Sequence, residues 1–220
     1  MNRDRLRATY DRLAPGYDRS VGLGERLLLG DLRRAYGAAL RGETLEVAVG
    51  SGLNLPHYSA AVTRSVGVDL SGGMLARAHD RARELARPIT LVQADAQRLP
   101  FPDASFDTVS VSLALCTVPD PAAALREIAR VCRPEGRVVL LEHVRSPVAP
   151  VAALERLLSP FQERFIGCHL TRATLKTAES LGFTVRSERT RMFGIFRLAV
   201  ASPPARRAAG LSPGVGGAKA

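Results

Sequence analysis

Short apolar runs, rich in β-branched residues, alternate with stretches of helical period along the middle of the chain. Residues 44–49 (TLEVAV), 65–69 (SVGVD), 89–93 (ITLVQ), 106–112 (FDTVSVS) and 136–141 (GRVVLL) each read as a buried strand. Between them, residues 74–85 place Leu75, Ala78, Ala82 and Leu85 on one stripe. Asp120-Pro121 opens a second helix, with an N-cap and then Pro at the first helical position; Leu125, Ile128, Ala129 and Cys132 follow at helical spacing until the turn Pro134-Glu135-Gly136. Such alternation predicts an α/β chain, a Rossmann-like doubly wound sheet with helices on both faces. The end of the pattern differs. A helix over 171–181 stops at Gly182, and strands over 183–191 and 193–201 follow with almost nothing between them. So short a connection makes a hairpin, not a crossover, so the sheet is mostly parallel with a C-terminal antiparallel hairpin strand.

Three flanking segments complete the organisation. Residues 1–41 predict a helical cap with Leu27, Leu28, Leu32, Tyr36 and Leu40 on its apolar face, and residues 42–201 the main domain. Residues 202–220 are rich in Pro, Gly and Ala without period and predict a disordered tail. Within 150–170, Val151, Leu154, Leu158, Phe161 and Phe165 fall on one helical face, which Pro160 should kink or break. That stretch reads as a helix packed on the sheet. The alternatives are a lid over an acceptor site and an interfacial membrane contact.

Composition narrows the partners. The chain carries 31 basic and 21 acidic residues, a net charge of +10, and only Lys176 and Lys219 of the basic set are Lys. A GC-rich coding bias would by itself produce so Arg-heavy a balance; read as function, it suits an anionic surface such as a phospholipid membrane or nucleic acid. Aromatics make up 5% with no Trp, and no basic-aromatic stripe is visible, which argues against nucleic acid. Three widely spaced Cys exclude a disulfide framework and a zinc knuckle. No apolar run is long enough to span a membrane and no secretory leader is visible, so a cytoplasmic chain, free or membrane-associated, is expected.

In an open parallel sheet the ligand site lies beyond the carboxyl ends of the strands. The first strand leads into Gly50-Ser51-Gly52, where glycines let a ligand approach the backbone. Asp69 ends the second and can accept both hydroxyls of a ribose; Asp95 follows the third and can accept from an adenine amine. In that order they describe a nucleoside site. A dinucleotide oxidoreductase is the rival, but Leu55 stands where its fingerprint needs a third small residue.

These residues carry a resemblance to the class I S-adenosylmethionine-dependent methyltransferases. LEVAVGSG (45–52) resembles that family's first motif, with Ala48 replacing a common glycine. VGVDLS with GGML (66–75) resembles the second, ADAQRLPF (94–101) the third, and LREIARVCRPEGRVVL (125–140) the approach to the fifth strand. YDRLAPGYD (10–18) resembles a motif of quinone-biosynthesis C-methyltransferases and bacterial phosphatidylethanolamine N-methyltransferases. LEHV (141–144) and GCHLTR (167–172) resemble a neighbouring branch with thiol methyltransferases.

The resemblance implies S-adenosylmethionine as cofactor, S-adenosylhomocysteine as product, and methyl transfer to a small-molecule or lipid acceptor. Phosphatidylethanolamine-type N-methylation leads, ahead of a quinone or other natural product and then a thiol; an inactive cofactor-binding regulator is the reading from another class. It also implies roles. Gly50, Ser51 and Gly52 would wrap the amino-acid part of the cofactor, with Glu46 holding their loop. Asp69 would take the ribose, Leu70 and Met74 would sandwich the adenine, and Asp95 with Ala96 would meet its edge. Ser112 would lie near the methionine part and Tyr17 would close over it. His143, after the fifth strand, is the candidate base, with His169 second; Cys116 and Cys168 read as buried packing groups. No His pair has metal-ligand spacing, so no metal is expected.

Overall fold

A computed structural model of the chain describes residues 1–205; most of the tail expected over 202–220 therefore lies outside the described residues. Seven strands form one sheet: β1 (Gly42–Val47), β2 (Val62–Asp69), β3 (Thr90–Gln93), β4 (Phe106–Ser112), β5 (Cys132–His143), β6 (Thr184–Arg191) and β7 (Phe196–Ser202). Their order is β3-β2-β1-β4-β5-β7-β6. β1, β2, β3, β4 and β5 pair in parallel, whereas β7 runs antiparallel to both β5 and β6. The expected hairpin is thus present, with its return strand slotted in beside β5. Strand order reverses between β1 and β4, which puts the switch point, and the natural ligand crevice, at the ends of those two strands.

Both faces of the sheet are covered. α4 (Gly72–Glu84), α5 (Pro121–Val131) and α7 (Thr174–Ser180) join the cap helices α1 (Arg3–Leu13), α2 (Tyr17–Leu29) and α3 (Leu32–Ala39) around it. Alternation along β5 supplies two cores. Val138 and Leu140 join Val109, Val111, Leu125 and Ile128 on one face, while Val139 and Leu141 join Leu32, Tyr36, Leu40 and Leu198 on the other. Asp120 caps α5 as its sequence suggests, accepting from Ala123 N at 2.9 Å.

Several local expectations need correction. β5 begins at Cys132, before the turn at 134–136. Its register against β4 jumps from Phe106↔Cys132 to Thr108↔Arg137, so the Pro134–Gly136 segment is a bulge within a pairing, not a helix stop ahead of it. Leu27 and Leu28 are exposed, and Leu29 takes the core position. Helix α6 (Ala149–Ile166) runs unbroken through Pro160 to a left-handed Gly167. It is also turned the other way round from a packed amphipathic helix. Ala152, Glu155 and Ser159 face the protein, and Leu154, Leu157, Leu158, Phe161 and Phe165 face out.

Candidate functional site

The loop after β1 owes its shape to left-handed backbone. Ala48, Gly50 and Gly52 have φ of 55°, 57° and 78°. A Cβ on Gly52 would meet Leu55 Cδ1 at 2.8 Å and Ala78 Cα at 3.3 Å, so this glycine lets the loop seat on α4. A Cβ on Gly50 would meet no atom of the described residues within 4 Å, which leaves that side of the loop open to a ligand. Ala48 holds a conformation that costs a Cβ-bearing residue about 1–2 kcal/mol. Ala48→Gly should therefore raise stability by about 0.5–1 kcal/mol, after allowing for the extra chain entropy glycine loses on folding. Urea unfolding checks this; a less stable variant contradicts it.

Asp69 closes the same corner. Its carboxylate accepts from Gly50 N and Ser71 N, each at 2.9 Å, and so joins the β1 loop to the start of α4. Burial pushes its pKa up, against those two hydrogen bonds. Glu46, fully buried on β1, works from behind the loop. It accepts from Asn54 Nδ2 at 2.5 Å, from the Tyr58 hydroxyl, and from the Tyr36 hydroxyl at 3.3 Å, and burial raises its pKa too.

The cap reaches into this corner through two aspartates that sequence reasoning passed over. Asp11 accepts from Ser71 Oγ (2.5 Å) and Gly73 N (3.0 Å) at the head of α4. Asp18 accepts from Ser51 Oγ (2.5 Å) and from Arg81 (2.7 Å), whose other nitrogen donates to Ser51 O at 2.5 Å. Both lie within the YDRLAPGYD segment, where only Tyr17 was singled out. Tyr10 and Tyr17 stand with ring centroids 6.3 Å apart, and the Tyr10 hydroxyl donates to Ile166 O, which places α1 against the end of α6.

A cleft opens between these groups. Tyr17, Gly50, Ser51, Asp69, Leu70 and Met74 line it, together with Asp95, Ala96 and Ser112. Nine of the twelve site residues expected from the sequence therefore share one hollow. Glu46 and Gly52 sit behind it, and His143 lies outside it. Asp95 spends part of its carboxylate on Gln97, accepting from the backbone N at 2.9 Å and from Nε2 at 3.0 Å. No residue of α6 lines the cleft.

The loop that follows Ser112 and lines the cleft is held by two residues in the segments LEHV and GCHLTR. Glu142, fully buried at the end of β5, accepts from Ala114 N and Leu115 N at 3.3 and 3.2 Å. Arg172 donates to Leu115 O and Val118 O, both at 2.6 Å. The Cys116 and Cys168 sulfurs lie 3.4 Å apart as free thiols beneath this loop. Burial pushes the Glu142 pKa up to about 7, with hydrogen bonds from the loop opposing. An acid with a raised folded pKa holds more protons folded than unfolded, so its contribution to stability falls as pH climbs from its usual 4.5 towards 7. Glu142→Gln should remove this dependence. Between about pH 5 and about pH 8 the variant should gain roughly 2–3 kcal/mol relative to wild type in urea unfolding. A constant difference across that range contradicts the reading.

His143 sits on the same face of the sheet as Ser112, one strand over, but against other partners. Its Nε2 lies 3.8 Å from Glu155 Oε1, its ring meets Phe196 edge-on at 5.5 Å, and burial lowers its pKa. Glu155 in turn accepts from Ser146 N at 2.9 Å, so the pair ties α6 to the strand end. His143→Ala should cost about 1–3 kcal/mol of stability with affinity for S-adenosylhomocysteine unchanged. A loss of kcat by about 10²–10⁴ in a variant that melts like wild type would instead establish it as the base. His169 pairs with Glu163 at 3.4 Å, also away from the cleft. Among the described residues no group of three or more His, Cys, Asp or Glu side chains could hold a metal ion.

The donor set suits an adenosyl group. The Asp69 carboxylate could accept from ribose hydroxyls, apolar Leu70 and Met74 offer a wall for a base, and the buried Ser112 Oγ has no hydrogen-bond partner among the described residues. The order of these features along the strand ends is that of a nucleoside-binding methyltransferase, and comparison agrees. The family model for a methyltransferase domain matches residues 45–140. A phosphatidylethanolamine N-methyltransferase of Cereibacter sphaeroides is 40% identical over 173 residues, 77% of this chain and 82% of that one. A demethylmenaquinone methyltransferase of Mycobacterium marinum is 40% identical over 126 residues, 56% of this chain and 50% of its own length. In fold, a solved methyltransferase of Thermotoga maritima superposes with a TM-score of 0.69 at 18% identity, covering 90% of this chain and 99% of that one. The chain belongs to the class I S-adenosylmethionine-dependent methyltransferases. It is a methyltransferase enzyme, and its relatives' names carry both lipid and quinone acceptors.

Proposed function

We propose that this enzyme methylates the amine of a phosphatidylethanolamine-type lipid, with S-adenosylmethionine held across the strand ends. The observation that carries the reading is the match to the phosphatidylethanolamine N-methyltransferase, which extends over 82% of that relative and includes more of this chain than the quinone-type match does. The net charge of +10 favours a phospholipid surface over a neutral quinone. The second reading, C-methylation of a quinone, rests on the shared 40% identity with the demethylmenaquinone enzyme.

The chemistry asks little of the protein beyond placement. Bound S-adenosylmethionine supplies a methyl already activated by its sulfonium. The headgroup ammonium would first give up a proton to solvent; its lone pair would then form the N–C bond as the C–S bond electrons return to sulfur, leaving a methylammonium and S-adenosylhomocysteine. Asp69 would fix the ribose, with Leu70, Met74, Asp95 and Ala96 around the base. The Gly50-Ser51 backbone would hold the amino-acid part, and Tyr17 would cover it. Ser112 would supply a hydroxyl beside the methionine part. Such alignment of attacking and leaving atoms is worth about 7–11 kcal/mol of barrier. Among the described residues no helix is long and apolar enough to cross a membrane, so a cytoplasmic enzyme would meet its lipid at the bilayer surface.

The test is S-adenosylhomocysteine release with phosphatidylethanolamine vesicles, a demethylated quinone and a small thiol offered separately. Turnover with the vesicles, and a methylated headgroup in the product, is expected. Turnover with the quinone or thiol alone assigns the acceptor there. Cofactor binding without transfer to any of the three makes the chain a cofactor-binding regulator.

A further inference from the structure

The outward face of α6 is unusual in being the apolar one. Leu157, Phe161 and Phe165 are 74%, 70% and 62% exposed, while the acidic side chains of the same helix are held by other partners, Glu155 by Ser146 N and Glu163 by His169. Arg156 and Arg164 are left facing solvent beside the apolar row.

Two other segments extend this face. The hairpin turn places Met192 and Phe193 in left-handed backbone, with φ of 50° and 55°, a region that disfavours residues bearing a Cβ. Both are nonetheless large, apolar and exposed, where Asn or Gly would be the usual choice. The turn is seated on the approach to α6. Ser146 Oγ donates to Phe193 O at 2.7 Å, and a Cβ on Gly194 would come within 2.8 Å of Pro147. On its other flank, Arg189 and Arg191 reach Asp31 at 3.0 and 3.7 Å, which brings the end of α2, with exposed Leu27 and Leu28, to the same hairpin. Of the eleven exposed large apolar side chains among the described residues, ten belong to α6 and its approach, this turn and the end of α2; Leu85 is the exception.

We propose that these three segments form one docking rim that lays the enzyme on a phospholipid bilayer bearing anionic headgroups, the apolar side chains entering the interface and the arginines meeting phosphate. This deepens the lipid-acceptor reading and rests on it for its purpose, though docking is measurable without turnover. Charge selects the occupant. A second copy of the chain would bring two bodies of net charge +10 together, whereas an anionic membrane attracts this charge and accepts the apolar row. The rim also adjoins the cleft. The end of α6 receives the Tyr10 hydroxyl, and Tyr10 and Leu6 of α1 line the cleft wall, so a docked enzyme would open its acceptor side near the headgroups.

Vesicle co-sedimentation of the full chain tests this, with vesicles of phosphatidylcholine alone and of phosphatidylcholine with phosphatidylglycerol. The wild type should bind the mixed vesicles, less so as salt rises. The double variant Leu157→Asp/Phe161→Asp should bind about a hundredfold more weakly, and Arg156→Gln/Arg164→Gln should lose the preference for phosphatidylglycerol. Both should melt and bind S-adenosylhomocysteine as the wild type does. Wild type left in the supernatant with both vesicles overturns the proposal. So does Leu157→Asp/Phe161→Asp bound as tightly as wild type, or a dimeric wild type that this pair of substitutions makes monomeric. Docking without methylation of phosphatidylethanolamine keeps the rim and removes the acceptor; methylation of dispersed lipid without docking does the reverse.

Discussion

Asp69→Ala should raise the dissociation constant for S-adenosylhomocysteine by about 5–150-fold, equivalent to roughly 1–3 kcal/mol. Two losses combine. The ligand's ribose hydroxyls would lose the charged acceptor assigned to them, and Gly50 N and Ser71 N would lose the partner that holds the β1 loop against the head of α4. Asp69→Asn separates them, since its amide oxygen still accepts from one of the two backbone groups while the charge is gone. Its affinity should fall between wild type and Asp69→Ala. Calorimetric titration of the three proteins gives the series. An Asp69→Ala protein that binds as tightly as the wild type removes the ribose assignment.

The second large effect is on stability. Glu46→Ala should destabilise the fold by about 2–4 kcal/mol and lower Tm by roughly 5–15 °C. Asn54, Tyr58 and Tyr36 all donate to this one carboxylate in a dry interior, and each would be left without its acceptor. The raised pKa of Glu46 records the cost of burying it, so the net loss is smaller than three broken hydrogen bonds would suggest. Because Asn54 lines the cleft, cofactor affinity should fall with stability. Thermal melts with and without S-adenosylhomocysteine follow both effects. A Glu46→Ala protein that melts with the wild type would show the hub to be dispensable.

Much of this architecture could be read along the chain, for a physical reason. Buried parallel strands need near-continuous apolar runs, and such runs at 44–49, 65–69 and 106–112 lie on β1, β2 and β4. The strand ends then named the cleft, because topology alone carries Gly50, Asp69 and Asp95 to one rim. What the pattern misplaced depended on direction or distance. A helical period reveals an apolar face but not which way it turns. Leu27 and Leu28 therefore looked like core, and the outward row of α6 read first as packing. Pro134 and Gly136 signal a turn, and only the pairing of Cys132 with Phe106 shows that the turn interrupts a strand. Asp18 meets Ser51 across 33 positions and Asp11 meets Ser71 across 60, contacts that no local spacing announces. Glu142 and Arg172 lay within noted segments, yet their task, shaping the loop beyond Ser112, depends on partners from β4's far end. His143 was legible as a residue at a strand end, but its partner Glu155 comes from α6.

A crystal structure with S-adenosylhomocysteine bound tests the central claim most directly. The ribose hydroxyls should stand about 3 Å from the Asp69 carboxylate, the adenine between Leu70 and Asp95, and the sulfur towards Ser112. A nucleoside found elsewhere on the molecule, or crystals that take up none at saturating concentration, would contradict it.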